Sequence, residues 1–426
     1  MLRTPGLFAL FAAKLLSTFG SWLTLLALPW FVLVTTGSPV RMSAVLAAEF
    51  LGVVSLGLPS GRVVARLGVR RTMLICDAAR VPLMALIPLL HQADWLSLPA
   101  LLVVSFSLGA FTAPYVSSQR LILPDLLGPA RGRDEKLLAR ANGLIDGATR
   151  IAALAGPALG GLLIALLGPV QVLWIDAGTY LVSYLILIAF VRPAATAASG
   201  AHRAAVSSAQ RVADRAGGRG TTLAGLRYAL RHPALRLFVL AQTFVTLSIP
   251  AVFICLQVLV REELGGDPRT LGLLTSANGA GLVIGSLAAV AGLGRMTRSA
   301  LTAAALLQCA PLWLLLVDQV FVVAGALFLV GLATPVLAAT INTRATVRAP
   351  APLRPHVMTA VTTTENLAAF VGYTAAGPAL QFSGLRPVFA GIAALAALGA
   401  VTFTAALRLD RPTTKVPDRR PADVTT

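Results

Sequence analysis

Charge is scarce in this chain. Only 12% of its 426 residues are Asp, Glu, Lys or Arg, and acids are the scarcer sign, 17 against 35 bases. With 57% hydrophobic residues and a mean hydropathy of +0.81, that shortage excludes an ordinary soluble globular domain. Cysteine is equally sparse. Cys76, Cys255 and Cys309 are scattered over apolar stretches, which excludes a disulfide framework and a cysteine-built metal centre. His91, His202, His232 and His356 each stand alone, so no metal and no cofactor is expected. No Asn-x-Ser/Thr sequon occurs, which favours a bacterial membrane. A phosphate-binding loop is also missing, so nucleotide hydrolysis is not expected to drive the molecule directly. The glycine-rich Gly279–Gly285 lies within an apolar run and reads as helix packing, not as a dinucleotide loop.

What the chain does have is long apolar runs. A helix needs ~20 residues to cross ~30 Å of hydrocarbon, and twelve such stretches can be read. In the first half they are Leu7–Thr35, Met42–Arg62, Met73–Leu90, Leu98–Val116, Leu144–Leu167 and Val170–Val191. In the second they are Leu235–Val260, Leu271–Leu293, Ala300–Val317, Val320–Thr340, Met358–Phe382 and Val388–Leu407. The expected fold is an all-α integral membrane protein, two six-helix halves related by a pseudo-two-fold axis. Residues 1–191 form the first half, 192–233 a basic linker, 234–408 the second half and 409–426 a tail. A net charge of +18 would suggest nucleic acid in a soluble protein, but here the bases sit in alternating loops. Segments on the linker side hold 28 Lys or Arg, and the opposite loops hold four, Arg41, Arg261, Arg269 and Arg386. By the positive-inside rule both termini face the cytoplasm, in a cell (inner) membrane. The expected partners are the bilayer, a small-molecule substrate and protons, with no nucleic acid, and the chain is expected to be a monomer.

Polar residues within spans carry the functional signal, because a charge near the bilayer centre costs at least ~2.5–3.5 kcal/mol. In the first span Lys14, Ser17 or Thr18, and Ser21 recur at helical spacing, followed by Trp22. Lys14 either faces a polar interior or extends its ammonium to the surface. Glu49 stands isolated in the second span and is the first candidate for proton coupling, the alternative being a structural pair with Lys14. In the third, Asp77 and Arg80 at i,i+3 read as an ion pair near the cytoplasmic end, supporting the loop before it. The fourth presents Ser105, Thr112, Tyr115 and Gln119, and the fifth places Asn142, Asp146 and Arg150 on one side. Asp176 in the sixth reads as a cap or packing residue. The seventh carries Gln242, Thr246, Phe253 and Gln257, and the eleventh Thr362, Glu365, Asn366 and Tyr373. The ninth and twelfth are almost entirely apolar, as outer, lipid-facing helices would be. Asp146 and Glu365 follow Glu49 as proton-coupling candidates. Lys14, Trp22, Thr112, Tyr115, Gln242, Thr246 and Tyr373 are the candidate cavity contacts.

Three motifs carry a family resemblance. The stretch GRVVARLGVRR, Gly61 to Arg71, is expected to turn tightly at the membrane surface. Its Gly61, Arg66, Gly68, Arg70 and Arg71 resemble the loop between the second and third helices of the major facilitator superfamily. Ala65 stands where that signature usually has an acid, so the latch it forms in the family is expected to be weakened or rebuilt. Gln119 to Leu144 resembles the segment joining helices four and five in the drug and siderophore exporter branch, through Arg120, Pro124, Asp125, Arg140, Ala141 and Asn142. Macrolide efflux pumps and enterobactin exporters belong to that branch. Asp176 matches an acid there too. Gly156, Pro157, Gly160 and Gly161 resemble the helix-five motif of proton-coupled antiporters. Small residues four apart let helices approach closely, and proline bends the helix. The resemblance implies gating roles for these motif residues, together with Asp77, Arg80 and Arg150.

The function expected from these features is secondary active export of an amphipathic small molecule (a drug, antibiotic or siderophore-like compound) by alternating access with proton antiport. The alternatives are an importer or facilitator of a small nutrient, a polytopic membrane enzyme, and a receptor or scaffold. No enzymatic activity is expected, since the loops offer no catalytic cluster.

Overall fold

A computed structural model describes residues 5–57, 59–127, 135–191, 227–292, 297–350 and 353–409. Most of the central linker and nearly all of the tail therefore lie outside the described residues. Every described element is helical. In lipid, backbone amides and carbonyls must find partners within their own segment, and the helix is how an apolar run does so. The first half comprises α1 (Pro5–Thr36), α2 (Pro39–Gly57), α3 (Ser60–Leu67), α4 (Val69–Gln92), α5 (Leu98–Leu121), α6 (Leu123–Leu127), α7 (Glu135–Leu167) and α8 (Pro169–Phe190). The second comprises α9 (Pro233–Glu262), α10 (Pro268–Gly292), α11 (Arg298–Cys309) with a 3₁₀ continuation Ala310–Leu316, α12 (Val320–Arg348), α13 (Arg354–Ser383) and α14 (Leu385–Leu409).

Among the described residues, eleven helical segments are long and apolar enough to cross a membrane. The remaining long helix, α13, runs 30 residues but carries Thr362, Thr363, Thr364, Glu365 and Asn366 near its middle. α3 and α6 are too short to span. With α13 included the arrangement is two six-helix halves. The halves repeat even in their turns. α7 passes into α8 through Gly168 alone (φ 88°), and α13 into α14 through Gly384 alone (φ 78°). Both reversals use the left-handed region that glycine enters without a side-chain clash.

The halves meet from the end opposite the linker down to mid-depth. At that far end Arg261 of α9 donates to the Leu33 carbonyl of α1. α2 lies on α13, where Gly377 faces Pro39 and Ser43. α7 lies on α10, where Gly161 and Gly272 face each other backbone to backbone. Lower on the same pair, Gly279 meets Ala153, and Arg150 donates to Ser286 Oγ. Among the described residues, no comparable packing joins α5 to α12 or α13 at the linker end. Any cleft between the halves is therefore expected towards the linker.

The linker is anchored at both ends. Arg70 donates through Nε to the Val191 carbonyl and through Nη2 to that of Ile188, capping α8 where the linker begins. Tyr228 donates to the Arg348 carbonyl where the chain returns, 3.0 Å.

Four expectations are corrected. The stretch from Gly61 is no tight turn. It forms most of the amphipathic helix α3, with Val64 buried and Arg62 and Arg66 outward, and it reverses only at Gly68. α2 ends at Gly57 instead of Arg62, because Pro59 and Ser60 start that new helix. α7 begins at Glu135, nine residues before the expected Leu144, and runs 33 residues, roughly 50 Å. That exceeds the hydrocarbon thickness, so its polar first turns continue the helix into the headgroup region. The ninth span changes to 3₁₀ geometry after Cys309, where Pro311 removes a backbone donor.

Candidate functional site

Helix α4 supplies the centre of a polar cluster buried in the first half. Spacing of i,i+3 puts Asp77 and Arg80 on one face, with Arg80 Nη1 3.9 Å from Asp77 Oδ1. Both are withdrawn from solvent, at 0% and 4% exposure. α8 contributes Ser183, which donates to Asp77 Oδ2 at 2.8 Å. α5 contributes Tyr115, whose hydroxyl lies 3.4 Å from Ser183 Oγ. The Arg80 guanidinium rests 5.0 Å from the Tyr115 ring centroid and 5.4 Å from that of Tyr180. Cation–π contact of this kind replaces part of the hydration the charge has lost.

Two more carboxylates lie within electrostatic reach of the same guanidinium. Asp176 of α8 is fully buried and accepts hydrogen bonds from Thr179, 2.8 Å, and from Thr24 of α1. Gly20 makes that approach of α1 possible, since a β-carbon there would overlap Asp176 Oδ1 and Thr179 Oγ1. Glu49 of α2 is within electrostatic reach of Asp176 and Arg80. Its backbone carbonyl lies against Gly109 of α5, so the helix is held close. Three carboxylates, Glu49, Asp77 and Asp176, therefore share one arginine in the interior of the first half.

Glu49 also borders the seam between the halves. Its neighbour Phe50 stacks obliquely on Tyr373 of α13, centroids 5.7 Å apart, and Glu49 is within electrostatic reach of that tyrosine. Further along α13, Glu365 is within reach of the Gln242 carboxamide of α9. Of the three carboxylates expected to couple protons, Glu49 and Glu365 thus lie in different halves, one beside the seam and one against α9.

The other expected site residues distribute as follows. Asp146 and Arg150 are exposed on α7 and belong to no buried cluster, Arg150 instead crossing to Ser286. Lys14 is half-buried on α1. Trp22 packs on Gly156, while Gly160 meets Leu23 and Leu26, so the small-residue face of α7 clasps α1 within its own half. The Pro157 carbonyl and Gly161 of the same motif face Gly272 in the other half. Thr112 donates to its own helix at Leu108, and Thr246 is half-buried on α9. Tyr115, expected to line the cleft, is 2% exposed inside the first half, where its hydroxyl meets Ser183. Gly61 and Gly68 flank α3, Arg66 and Arg71 are exposed, and Arg70 caps α8. Of the exporter-like segment before α7, residues 128–134 lie outside the described residues.

Sequence reasoning passed over Tyr180, Ser183 and Thr24 and gave Asp176 only a cap or packing role. Nothing local marks them, because their partners come from other helices. It also took the ninth span as apolar and missed Gln308, 3% exposed. A lone carboxamide in an apolar run was the available signal.

The family model for transmembrane secretion effectors matches residues 2–420. The multidrug efflux pump Tap of Mycolicibacterium fortuitum is 35% identical over 190 residues, 43% of this chain and 44% of that pump. The chain thus spans less than half the length of that curated relative. The uncharacterized MFS-type transporter YfiS of Bacillus subtilis is 25% identical over 293 residues, 68% of this chain and 65% of that one. Among solved structures, the nucleoside transporter NupG superposes with a TM-score of 0.73 at 12% identity, covering 94% of this chain and 99% of that chain. A bacterial homologue of the lysosomal transporter Spinster, inward-facing and unoccupied, superposes at 0.70 with 13% identity, covering 95% and 97%. At such identities these structures bear on the fold alone.

Proposed function

We infer the function from one premise: the chain belongs to the transmembrane secretion effector family, a branch of the major facilitator superfamily. It is a multi-pass membrane protein of the transporter fold. On that premise we propose a monomeric secondary transporter that exports amphipathic small molecules from the cytoplasm by alternating access, exchanging them for protons. The resemblance to Tap over 190 residues supports a drug-like substrate class. Both termini would face the cytoplasm of a bacterial inner membrane, as the loop charges suggest.

The observation that carries the reading is Glu49. Three carboxylates around one guanidinium leave two excess negative charges when all are ionised. Buried charges without partners are costly, so proton uptake on one of them changes the stability of its surroundings. Glu49 is the member adjoining the seam at Phe50 and Tyr373, so its charge acts where the halves meet. A proton entering there would bias the two arrangements of the halves through their different environments for Glu49. Motion of the halves would break the α2–α13 and α7–α10 contacts and form others at the linker end, giving alternating access.

The test is accumulation of a broad panel of dyes and antibiotics in efflux-deficient bacteria. Expression of the wild type should lower accumulation of some members, and a protonophore should reverse the effect. Unchanged or raised accumulation across the whole panel contradicts multidrug export.

A further inference from the structure

A second chamber is lined wholly by residues of the second half. It is a cavity of about 160 Å³ between α9, α10, α11 with its 3₁₀ continuation, α12 and α14. Val252, Phe253, Leu312, Leu327 and Val330 give it an apolar wall, and no charged side chain lines it. A smaller chamber of about 40 Å³ continues it towards Gln242. The two share Val245, Ile249, Gln308 and Thr334, so these residues form the waist between them. Thr334 Oγ1 lies 3.0 Å from Gln308 Oε1 across that waist.

The polar groups on the wall are mostly spent. Ser248 donates to the Phe244 carbonyl at 2.8 Å, and Thr275 to that of Leu271 at 2.8 Å. Asn278 Nδ2 donates to the Leu327 carbonyl at 2.9 Å, across to α12. A buried water needs two to four polar partners, and little is left to hold a cluster of them. Space of this size is equally unusual in a close-packed interior. An ion would find no counter-charge. What fits is an uncharged, largely apolar molecule of about one or two rings, with at most a single polar group to meet the carboxamides of Gln308 or Asn278.

We propose that this cavity is a binding site for a small neutral aromatic molecule, or for the neutral aromatic part of a larger transported compound. The site extends the export reading by giving the substrate's apolar body a place inside one half. Gln242 borders the smaller chamber and is within reach of Glu365, so the pocket approaches one of the membrane carboxylates.

Binding is measured apart from transport, so the two readings can fail separately. The full chain in lipid nanodiscs is titrated with 5-fluoroindole and followed by ¹⁹F NMR, with empty nanodiscs as the control for partitioning. A saturable signal displaced by unlabelled indole is expected. Ala396→Phe, which fills the cavity, should abolish it. Thr334→Val, which keeps the volume and removes the waist hydroxyl, should weaken it about fivefold. The proposal is overturned if no saturable signal exceeds that of empty nanodiscs, which would mean lipid partitioning only. It is equally overturned if the signal persists unchanged in Ala396→Phe and Thr334→Val, which would put the ligand in the cleft. If Ala396→Phe does not fold, Thr334→Val decides alone. Saturable binding without drug export would keep the pocket and discard the export reading. Export without this binding would do the reverse.

Discussion

The rings of Phe50 and Tyr373 lie 5.7 Å apart across the seam between the halves, with Glu49 beside them in sequence. On its other side Glu49 is within electrostatic reach of Arg80 and Asp176. One carboxylate therefore joins a buried charge cluster to the seam between the two halves.

Arg80 is the only cation in that cluster among the described residues that the contacts place against its carboxylates. Arg80→Leu leaves Asp77 and Asp176 buried without it, and the expected loss of stability is about 3–5 kcal/mol. Thermal unfolding in detergent reads the effect. The double variant Asp77→Asn, Arg80→Leu should recover part of it, since a cycle isolates the pair. A variant as stable as wild type contradicts the cluster's structural weight.

Gly161 and Gly272 allow α7 and α10 to touch backbone to backbone, a β-carbon at Gly161 lying 2.5 Å from the Pro268 carbonyl and 2.7 Å from Gly272 Cα. Gly161→Leu is expected to open the far end of the seam and reduce transport while the protein still inserts. Nitroxide labels at Trp95→Cys and Phe321→Cys, both exposed, should report a longer or broader distance distribution. An unchanged distribution with full transport would show that this approach is not needed for closure.

At the far end Arg386 pairs with Asp318, 3.2 Å, and Glu263 joins them. Partial burial, then a hydrogen bond with Asp318 and the charges of Asp318 and Glu262, hold the Glu263 carboxyl above the ordinary carboxylate value, and Arg386 opposes them. The folded state therefore binds more protons than the unfolded one. Its contribution is complete below the unfolded value, about 4.3, and is lost as pH rises through the folded one. The melting temperature of wild type should fall relative to Glu263→Gln as pH rises from about 4 to 7. Parallel curves contradict the assignment.

The spans were legible because an apolar run of some twenty residues has few alternatives in lipid. So was the Asp77–Arg80 pair, since i,i+3 spacing is a local property. The cluster around it was not. Asp176, Tyr180 and Ser183 come from α8 and Thr24 from α1, and no periodicity in α4 names them. Tyr115 was read onto the cleft because α5 is apolar on nearly every side, so its sequence does not say which face is inward. α3 was hidden by Gly61 and Gly68, which suggested a turn, whereas Val64 against Arg62 and Arg66 already had the pattern of a surface helix. Gly161 stood in the right motif, yet only the structure separates it, facing α10, from Gly156 and Gly160, facing α1.

The central claim is that Glu49 carries the coupled proton. The direct measurement is proton movement in proteoliposomes holding wild type or Glu49→Gln, with a pH-sensitive dye inside and a compound from the accumulation screen added outside under an imposed pH gradient. The account predicts that substrate addition accelerates dissipation of the gradient with wild type and not with Glu49→Gln, while both bind the compound. Equal, substrate-dependent proton flux in the two proteins would contradict it.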